Sequence, residues 1–498
     1  MLKAKDLNEV VRVGIELTTE KNRNRLWENM LRKALSISGC DAGTLYLYQD
    51  DALVFRIMKT LSQGVSRGEN GEPIDLPPVA LREENVCAYS AIHRELINIP
   101  DVYCSERFDF SGPKRYDSIT GYRTGSMLVI PLEGAESELI GVMQLMNKLD
   151  KDGQFIPFTQ DDEFLLLSLG SMAAVSVSNM IYIDELKAQM HSFVQAFAAA
   201  VDERTPYNGS HTRKVTVYAG LLADEINRRH ELGETEESFD ENRREQLLLA
   251  ATLHDIGKMI VPLSVMNKAT RLGDALGNIR LRFQLLDALY RCDALSGRIP
   301  DSEAEALRTE LREGLAAIEA ADAAGFLPDE TLAKFDALGA HRYVYEDGTE
   351  LPWLTEEESV CLHIRKGTLT AEERRIMESH AEMTRRILAK VRFRSSYSDV
   401  VRIAAGHHEY LNGSGYPDHL TADALDTDVR ILTVSDVFDA LTSSDRPYKA
   451  PIPRPKAFAI LREMVGDGQL DGQIVDWLES AVAEVPQEEI ERLAEAGN

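Results

Sequence analysis

Cysteine is scarce and scattered: Cys40, Cys87, Cys104, Cys292 and Cys361 are five in 498 residues, an odd number with no CxxC pair. That excludes a disulfide framework and a thiolate zinc site, and predicts a reduced, cytoplasmic protein. Positive charge is also short. Lys and Arg number 55 against 82 Asp and Glu, a formal net charge of −27. So acidic a chain is not expected to bind DNA or an anionic membrane in general, and any anionic substrate needs a local basic cluster. The first residues, MLKAKDLNEV, lack the apolar run of a signal peptide. There is no solenoid repeat.

One stretch, Phe164 to Ile183, carries no formal charge and is about as long as a membrane span. It contains Ser168, Ser171, Ser176, Ser178, Asn179 and Gly170, and its flanks are acidic (Asp161, Asp162, Glu163, Asp184, Glu185), not basic. A buried or dimer-packed helix is expected there, and no membrane partner.

At roughly 150 residues per domain the length suggests about three domains. Residues 41–60 alternate apolar and polar around Gln49-Asp50-Asp51, and 126–147 repeat the pattern around EGAESE. Both predict β-hairpins. Helical patterns precede the first hairpin (Leu7 to Ile37) and follow the second, which makes the first third α+β. Leu186, Met190, Phe193, Phe197 and Val201 then step by three or four, a seam suited to pairing between subunits and hence to a homodimer. No Gly/Pro linker separates the two unlike halves. Beyond Val201 helical spacing dominates at 211–229, 243–256, 370–391, 398–410 and 428–443, and Thr370 with Glu373 forms a capping box. Residues 273–365 are rich in Ala, Leu, Glu, Arg and Asp, with two helices expected near 275–292 and 301–321.

The histidines concentrate in the helical half: His211, His254-Asp255, His380 and His407-His408, followed by Asp436. Singly, each reads more simply as a core histidine. Together they converge. His254 shares a face with Leu247 and Ala250, with Lys258 one turn on; His380 shares one with Ile376, Met383 and Ile387; Asp436 sits in an apolar run. Burying several such groups is costly unless they are paired or bind a cation. Imidazoles with carboxylates suit iron or manganese, less often zinc. In His254-Asp255 the imidazole can hold one ion while the carboxylate bridges to a second. Two ions about 3.5–4 Å apart can activate water and clamp a phosphodiester for in-line attack.

The segments LLAATLHDIGKMIVP, GTLTAEERRIMESHAEMTRRIL, IAAGHHEYLNGSGYP and ILTVSDVFDALTSSDRPYK resemble the HD-GYP family of cyclic di-GMP phosphodiesterases, over roughly 201–271 and 366–480. The resemblance implies an all-α, HD phosphohydrolase-like domain with divalent ions, iron or manganese. One ion would be held by His211, His254, Asp255 and Asp436, and the other by His380, His407 and His408 with Asp255 shared. Asp255 and Lys258 would serve catalysis. Lys258, Lys268, Arg446 and Lys449 would meet substrate phosphates, and Gly415, Tyr416 and Pro417 would form the GYP turn beside them. Some members place a glutamate four residues before the first histidine for a third ion; Tyr207 stands there, so two ions are expected. Residues 273–365 interrupt the family pattern.

In the first third, Asn147-Lys148, Phe158 and Asp162-Glu163 resemble the NK…FxxxDE pattern of GAF domains from cyclic-nucleotide phosphodiesterases. This implies a small ligand there, such as a cyclic mononucleotide, with those five residues as candidate contacts. Their simpler reading is structural, with Lys148 and Asp162 as an ion pair. The chain is therefore expected to be multidomain: a GAF sensor at 1–185, a signalling helix at 186–202, and an HD-GYP domain at 203–498 with a helical insertion at 273–365. The expected activity is hydrolysis of cyclic di-GMP to pGpG, and in a second step to GMP. The alternatives are a catalytically weak cyclic di-GMP-binding protein and an enzyme for another cyclic dinucleotide.

Overall fold

The computed structural model describes residues 4–204, 210–393, 397–443 and 451–496. Contacts divide the chain into two compact units, Met1–Met190 and His191–Asn498.

The first unit opens with α1 (Ala4–Thr19) and α2 (Arg23–Ser38). Asn22 caps α2 by accepting from the Arg25 N–H at 3.0 Å, and Gly39, at φ 70°, ends it. The first hairpin joins β1 (Cys40–Gln49) to β2 (Ala52–Thr60). Its turn residues Asp50 and Asp51 have φ of 49° and 59°, the left-handed pair that a two-residue turn between twisted strands requires. The second hairpin joins β6 (Met127–Glu133) to β7 (Leu139–Lys148). With β3 (Val65–Arg67), β4 (Val79–Ala80) and β5 (Ile97–Ile99) they form one antiparallel sheet in the order β3-β2-β1-β7-β6-β5, with β4 beside β2.

Strand alternation divides the core in two. Leu128, Ile130 and Leu132 face the layer of α1 and α2, where Trp27, Met30 and Leu31 are buried. Met127 and Val129 face the other side, with Tyr46, Cys87, Phe108 and Phe110. Over this sheet lies the first half of α5 (Gln160–Asp202), a single 43-residue helix. It is the one helix among the described residues long and apolar enough to cross a membrane, and its Leu165, Leu166, Leu169, Ala173, Ala174 and Val177 are buried, most of them in the core shared with α2. The expected seam is split: Leu186, Phe193 and Phe197 are exposed, whereas Val201 is buried in the second unit.

The second unit is built on α6 (His211–Glu231), α7 (Glu241–Leu253), α13 (Ala371–Leu388), α14 (Val400–Ala405), α15 (Thr427–Thr442), α16 (Arg454–Gly466), α17 (Gly472–Ala483) and α18 (Gln487–Ala496). Tyr218 of α6 meets Phe438 of α15 edge to face at 5.1 Å, and Phe458 of α16 lies 4.9 Å beyond. The capping box expected at Thr370/Glu373 is formed, and a further one stands at Thr355/Glu358.

The expectation of two helices in 273–365 falls short. That region holds α9 (Ala275–Ser296), α10 (Asp301–Asp322), α11 (Asp329–Ala340), a two-stranded sheet of β8 (Arg342–Val344) and β9 (Glu350–Pro352), and α12 (Glu356–Leu362). It has its own apolar core around Phe283, Leu286, Tyr290, Ile318, Phe335 and Trp353. Its neck is pinned by Arg271, wholly buried, which donates to the carbonyls of Ile364 and Ala321 at 2.7 and 2.8 Å and also to that of Ala324. A guanidinium can serve several carbonyls from one fixed plane, which suits a buried junction of chain ends.

Candidate metal centre

Five histidines and two aspartates from separate segments meet in the second unit. His211 is the first residue of α6, His254 follows the last residue of α7, His380 lies midway along α13, His407 and His408 follow α14, and Asp436 lies within α15. His254, Asp255, His380 and His407 are buried, with His254 and His407 at 0% exposure.

Helix geometry aims these rings. The Nδ1–H of His254 donates to the Ala251 carbonyl at 2.7 Å, that of His380 to Met377 at 2.7 Å, and that of His407 to Ala404 at 2.6 Å. A carbonyl only accepts, so each Nδ1 carries the proton and each Nε2 is left as an inward-facing lone pair. His211 also donates through Nδ1, here to a carboxylate, with Asp439 Oδ2 at 2.7 Å. Its Nε2 is 3.2 Å from Asp436 Oδ1 and 3.5 Å from Asp255 Oδ2. Asp255 faces both halves of the cluster: Oδ2 is 3.4 Å from His254 Nε2, and Oδ1 is 3.5 Å from His380 Nε2 and 3.8 Å from His407 Nε2. His408 Nδ1 lies 3.7 Å from Asp436 Oδ2.

Burial pushes the pKa values of His407 and His380 down, and that of His408 to about 3. These three imidazoles are neutral at pH 7, the form that ligates a metal. Burial alone would raise Asp255, but Lys258 and the neighbouring imidazoles outweigh it and hold the carboxyl well below its usual range. Burial would likewise lower His211, yet Asp255, Asp436 and Asp439 together push it well above the ordinary value.

The donor set fits divalent ions. Three groups of ligand atoms each lie within 4.8 Å of one another: His380, His407 and His408; His211, His254 and Asp436; His254, Asp255 and His407. Among the described residues, the buried atoms His254 Nε2 and Asp255 Oδ1 have no hydrogen-bond partner. Orphaned acceptors in a dry site are costly unless a cation satisfies them.

The surrounding chain is built to hold this arrangement. After His254-Asp255 it turns through a 3-10 helix, Ile256–Ile260. Gly257 packs so close to α13 that a Cβ there would stand 1.9 Å from the His380 carbonyl oxygen. Thr384, one turn after His380, donates to the His254 carbonyl at 2.8 Å and accepts from the Gly257 N–H at 3.0 Å. Gly415 has a similar reason: a Cβ would stand 2.5 Å from the His408 carbonyl oxygen. Tyr416, joined to Pro417 by a cis peptide bond, lays its ring 4.7 Å from that of His408. Glu409, buried beside His408, accepts from the N–H groups of Asp418 and Leu420 and closes the loop.

The other anticipated residues are placed differently. Lys258 reaches the cluster through Asp255, Nζ to Oδ2 at 2.5 Å. Lys268 does not turn to the histidines; its ammonium bonds both oxygens of Glu373, at 2.7 and 2.8 Å. Arg446, Lys449 and Tyr207 lie outside the described residues. In the first unit Asn147 accepts from the Gly125 N–H at 2.6 Å and donates to the Arg123 carbonyl at 2.7 Å. Lys148 and Asp162 form an ion pair, Glu163 accepts from Asn98 at 2.6 Å, and Phe158 is buried in the core. These polar groups bond to one another and to the backbone, bracing β7 against the start of α5. Asp439, Thr384 and Glu409 were not anticipated. Asp439 stands three residues after Asp436, and Thr384 four after His380, so helical spacing puts each beside a cluster residue.

Both units have counterparts among known proteins. The profile of the GAF domain matches residues 22–177, and two profiles of the HD domain match 208–285 and 343–474. The 3'3'-cGAMP-specific phosphodiesterase 3 of Vibrio cholerae is 41% identical over 99 residues, 20% of this chain and 21% of that protein. The cyclic di-GMP phosphodiesterase response regulator RpfG of Xanthomonas campestris is 36% identical over 124 residues, 25% of this chain and 32% of that protein. The dual 3',5'-cyclic-AMP and -GMP phosphodiesterase 11A of Takifugu rubripes is 36% identical over 96 residues, 19% of this chain and 10% of that protein. The matches thus span between 10% and 32% of these relatives. A solved GAF domain from an Acinetobacter phosphoenolpyruvate-protein phosphotransferase is 16% identical, covers 37% of this chain and 99% of that one, and has a TM-score of 0.28. The chain carries a GAF domain followed by an HD domain.

Proposed function

We propose that the second unit is a phosphodiesterase that hydrolyses cyclic di-GMP at a centre of two divalent ions, iron or manganese. The observation that carries this is the convergence of five histidines and two aspartates with His254 Nε2 and Asp255 Oδ1 left buried and unpartnered. His211, His254, Asp255 and Asp436 would hold one ion, and His380, His407 and His408 the other, with Asp255 shared. When bound, such ions supply an activated water and withdraw charge from the phosphodiester. The chain's own groups do the rest. The carbonyls of Ala251, Met377 and Ala404 keep the protons on the outer ring nitrogens. Lys258 puts a cation beside Asp255, where the anionic substrate needs one in so acidic a protein. Tyr416 covers His408 and closes the site wall at the GYP turn. Arg446 and Lys449 are assigned to further phosphate contacts. Adding water across one P–O bond opens the ring to pGpG, and a second cleavage yields GMP.

The likeness to a cGAMP-specific enzyme favours a second reading, in which the same centre takes a hybrid cyclic dinucleotide. The GAF domain is assigned the regulatory input, with a cyclic mononucleotide as its ligand; such a ligand would have to reuse or open the Lys148–Asp162 pair. The exposed Leu186, Phe193 and Phe197 support a homodimer along α5, and the free cysteines a cytoplasmic setting.

The test is metal analysis of anaerobically purified protein together with turnover of cyclic di-GMP and 3'3'-cGAMP. Two ions per chain and hydrolysis that disappears in Asp255→Ala, with helical content kept, are expected. Wild-type turnover by metal-loaded Asp255→Ala would overturn the two-ion mechanism, and the ratio of the two substrates decides between the readings.

A further inference from the structure

The last turn of α5 is fastened to both segments that follow the first three cluster residues. Asp202, 5% exposed, accepts through Oδ1 from the Thr212 hydroxyl at 2.9 Å. Thr212 is itself buried and directly follows His211. Arg204, just past the helix end, donates from Nη1 to the Lys258 carbonyl and from Nη2 to the Val261 carbonyl, both at 3.3 Å. Those two carbonyls end the 3-10 helix that begins immediately after Asp255. The end of a helical turn carries partial negative charge, so a guanidinium there is favourable; the Lys258 carbonyl also accepts from the Val261 N–H at 3.2 Å. The same turn sends Lys258 Nζ back to Asp255.

The Asp202–Thr212 link lies at the edge of a loosely filled space. A cavity of about 640 Å³ lies between the end of α5 and helices α6, α7 and α18, bounded on the α5 side by Gln195, Ala198, Ala199 and Asp202 and on the far side by Thr216 and Leu493, among others. Protein interiors are ordinarily close-packed and transmit displacement through contact. Next to a cavity of this size, polar tethers carry a larger share of that transmission. Asp202 is the last residue of α5.

We infer that Asp202 and Arg204 are positioning residues, which set the placement of His211 and of the His254-Asp255 turn from the end of α5. Neither touches the cluster's centre; each acts through a neighbour of a cluster residue. This rests on the reading of the cluster as a metal centre, and it adds to that reading where the control of the site enters.

The test uses the full chain. Mn²⁺ binding to metal-free protein is followed by the loss of the free-ion electron paramagnetic resonance signal, and kcat and KM for cyclic di-GMP are measured separately. Arg204→Ala is expected to weaken Mn²⁺ binding about tenfold or more, as loss of an outer support of a ligand does, and to lower kcat with KM little changed. Arg204→Lys is expected to recover most of both, since an ammonium can still donate to those carbonyls. Asp202→Ala serves as the second arm and is expected to show the same split. Wild-type Mn²⁺ binding and kcat in both alanine variants would overturn the inference. So would a loss in Arg204→Ala that tracks helical content and is not recovered by Lys. If wild-type protein hydrolyses no cyclic dinucleotide, the functional reading falls, while the Mn²⁺ arm still judges the positioning role.

Discussion

At the scale of single residues, the cluster depends on groups whose value lies in a neighbour. Gly257 is the sharpest case, because the obstacle to a Cβ is the backbone of α13, which cannot swing aside as a side chain can. Gly257→Ala is expected to cost about 1–3 kcal/mol and to part the His254-Asp255 turn from His380, seen as a lower melting temperature together with weaker metal binding. Asp202 gives a pH signature. Burial raises its pKa from 3.8 to about 6, against the lowering effect of its Thr212 hydrogen bond. A carboxyl raised in the folded state favours folding fully below about 3.8, and that contribution is lost as pH rises through about 6. In metal-free protein, Asp202→Asn should therefore gain about 1–3 kcal/mol over wild type at pH 8 and little at pH 4. Denaturant titrations at both pH values measure it; an equal difference at the two would refute the assignment. Much of the cluster was legible at this scale. His211, His254, His380, His407, His408, Asp255 and Asp436 all come together. The pairing of Lys268 with Glu373 was not legible, because a motif lysine carries no mark of which carboxylate it will meet, and Glu373 lies 105 residues away.

At the scale of elements, helical periodicity placed α6, α7, α13 and α15 within a few residues of where they lie, and the turn signals placed both hairpins. The 273–365 segment was the shortfall. Its strands are three residues each, too short for alternation to show, and its core joins residues from α9 to α12 that share no local pattern. Arg271 closes its neck, and Lys268, just before it, holds Glu373 at the head of the His380 helix. Both ends are thus tied to the centre's scaffold, and the body between is self-supporting. Replacing 273–365 with a Gly/Ser linker, with Arg271→Ser to avoid a buried guanidinium stripped of its carbonyls, should preserve metal content and alter KM or turnover. Unchanged kinetics in the folded, metal-loaded deletion would leave the insertion an appendage or assembly surface. Complete loss of metal would make it part of the scaffold.

At the scale of the whole molecule, the amino-acid order by itself determined the two kinds of domain, because each is written in local periods: two residues in the hairpins, three to four in the helices. It also determined the residue types of the centre, since imidazoles and carboxylates recur in short motifs whose chemistry needs nothing distant. Only the tertiary structure decided which way those groups face and what holds them. The carbonyl behind each imidazole, the backbone of α13 against Gly257, the internal pairing of Lys148 with Asp162, and the reach of Arg204 to the turn after Asp255 all join residues distant in the chain or set by exact helix ends. Such contacts are fixed by packing of the completed fold, and packing has no period to read in the sequence.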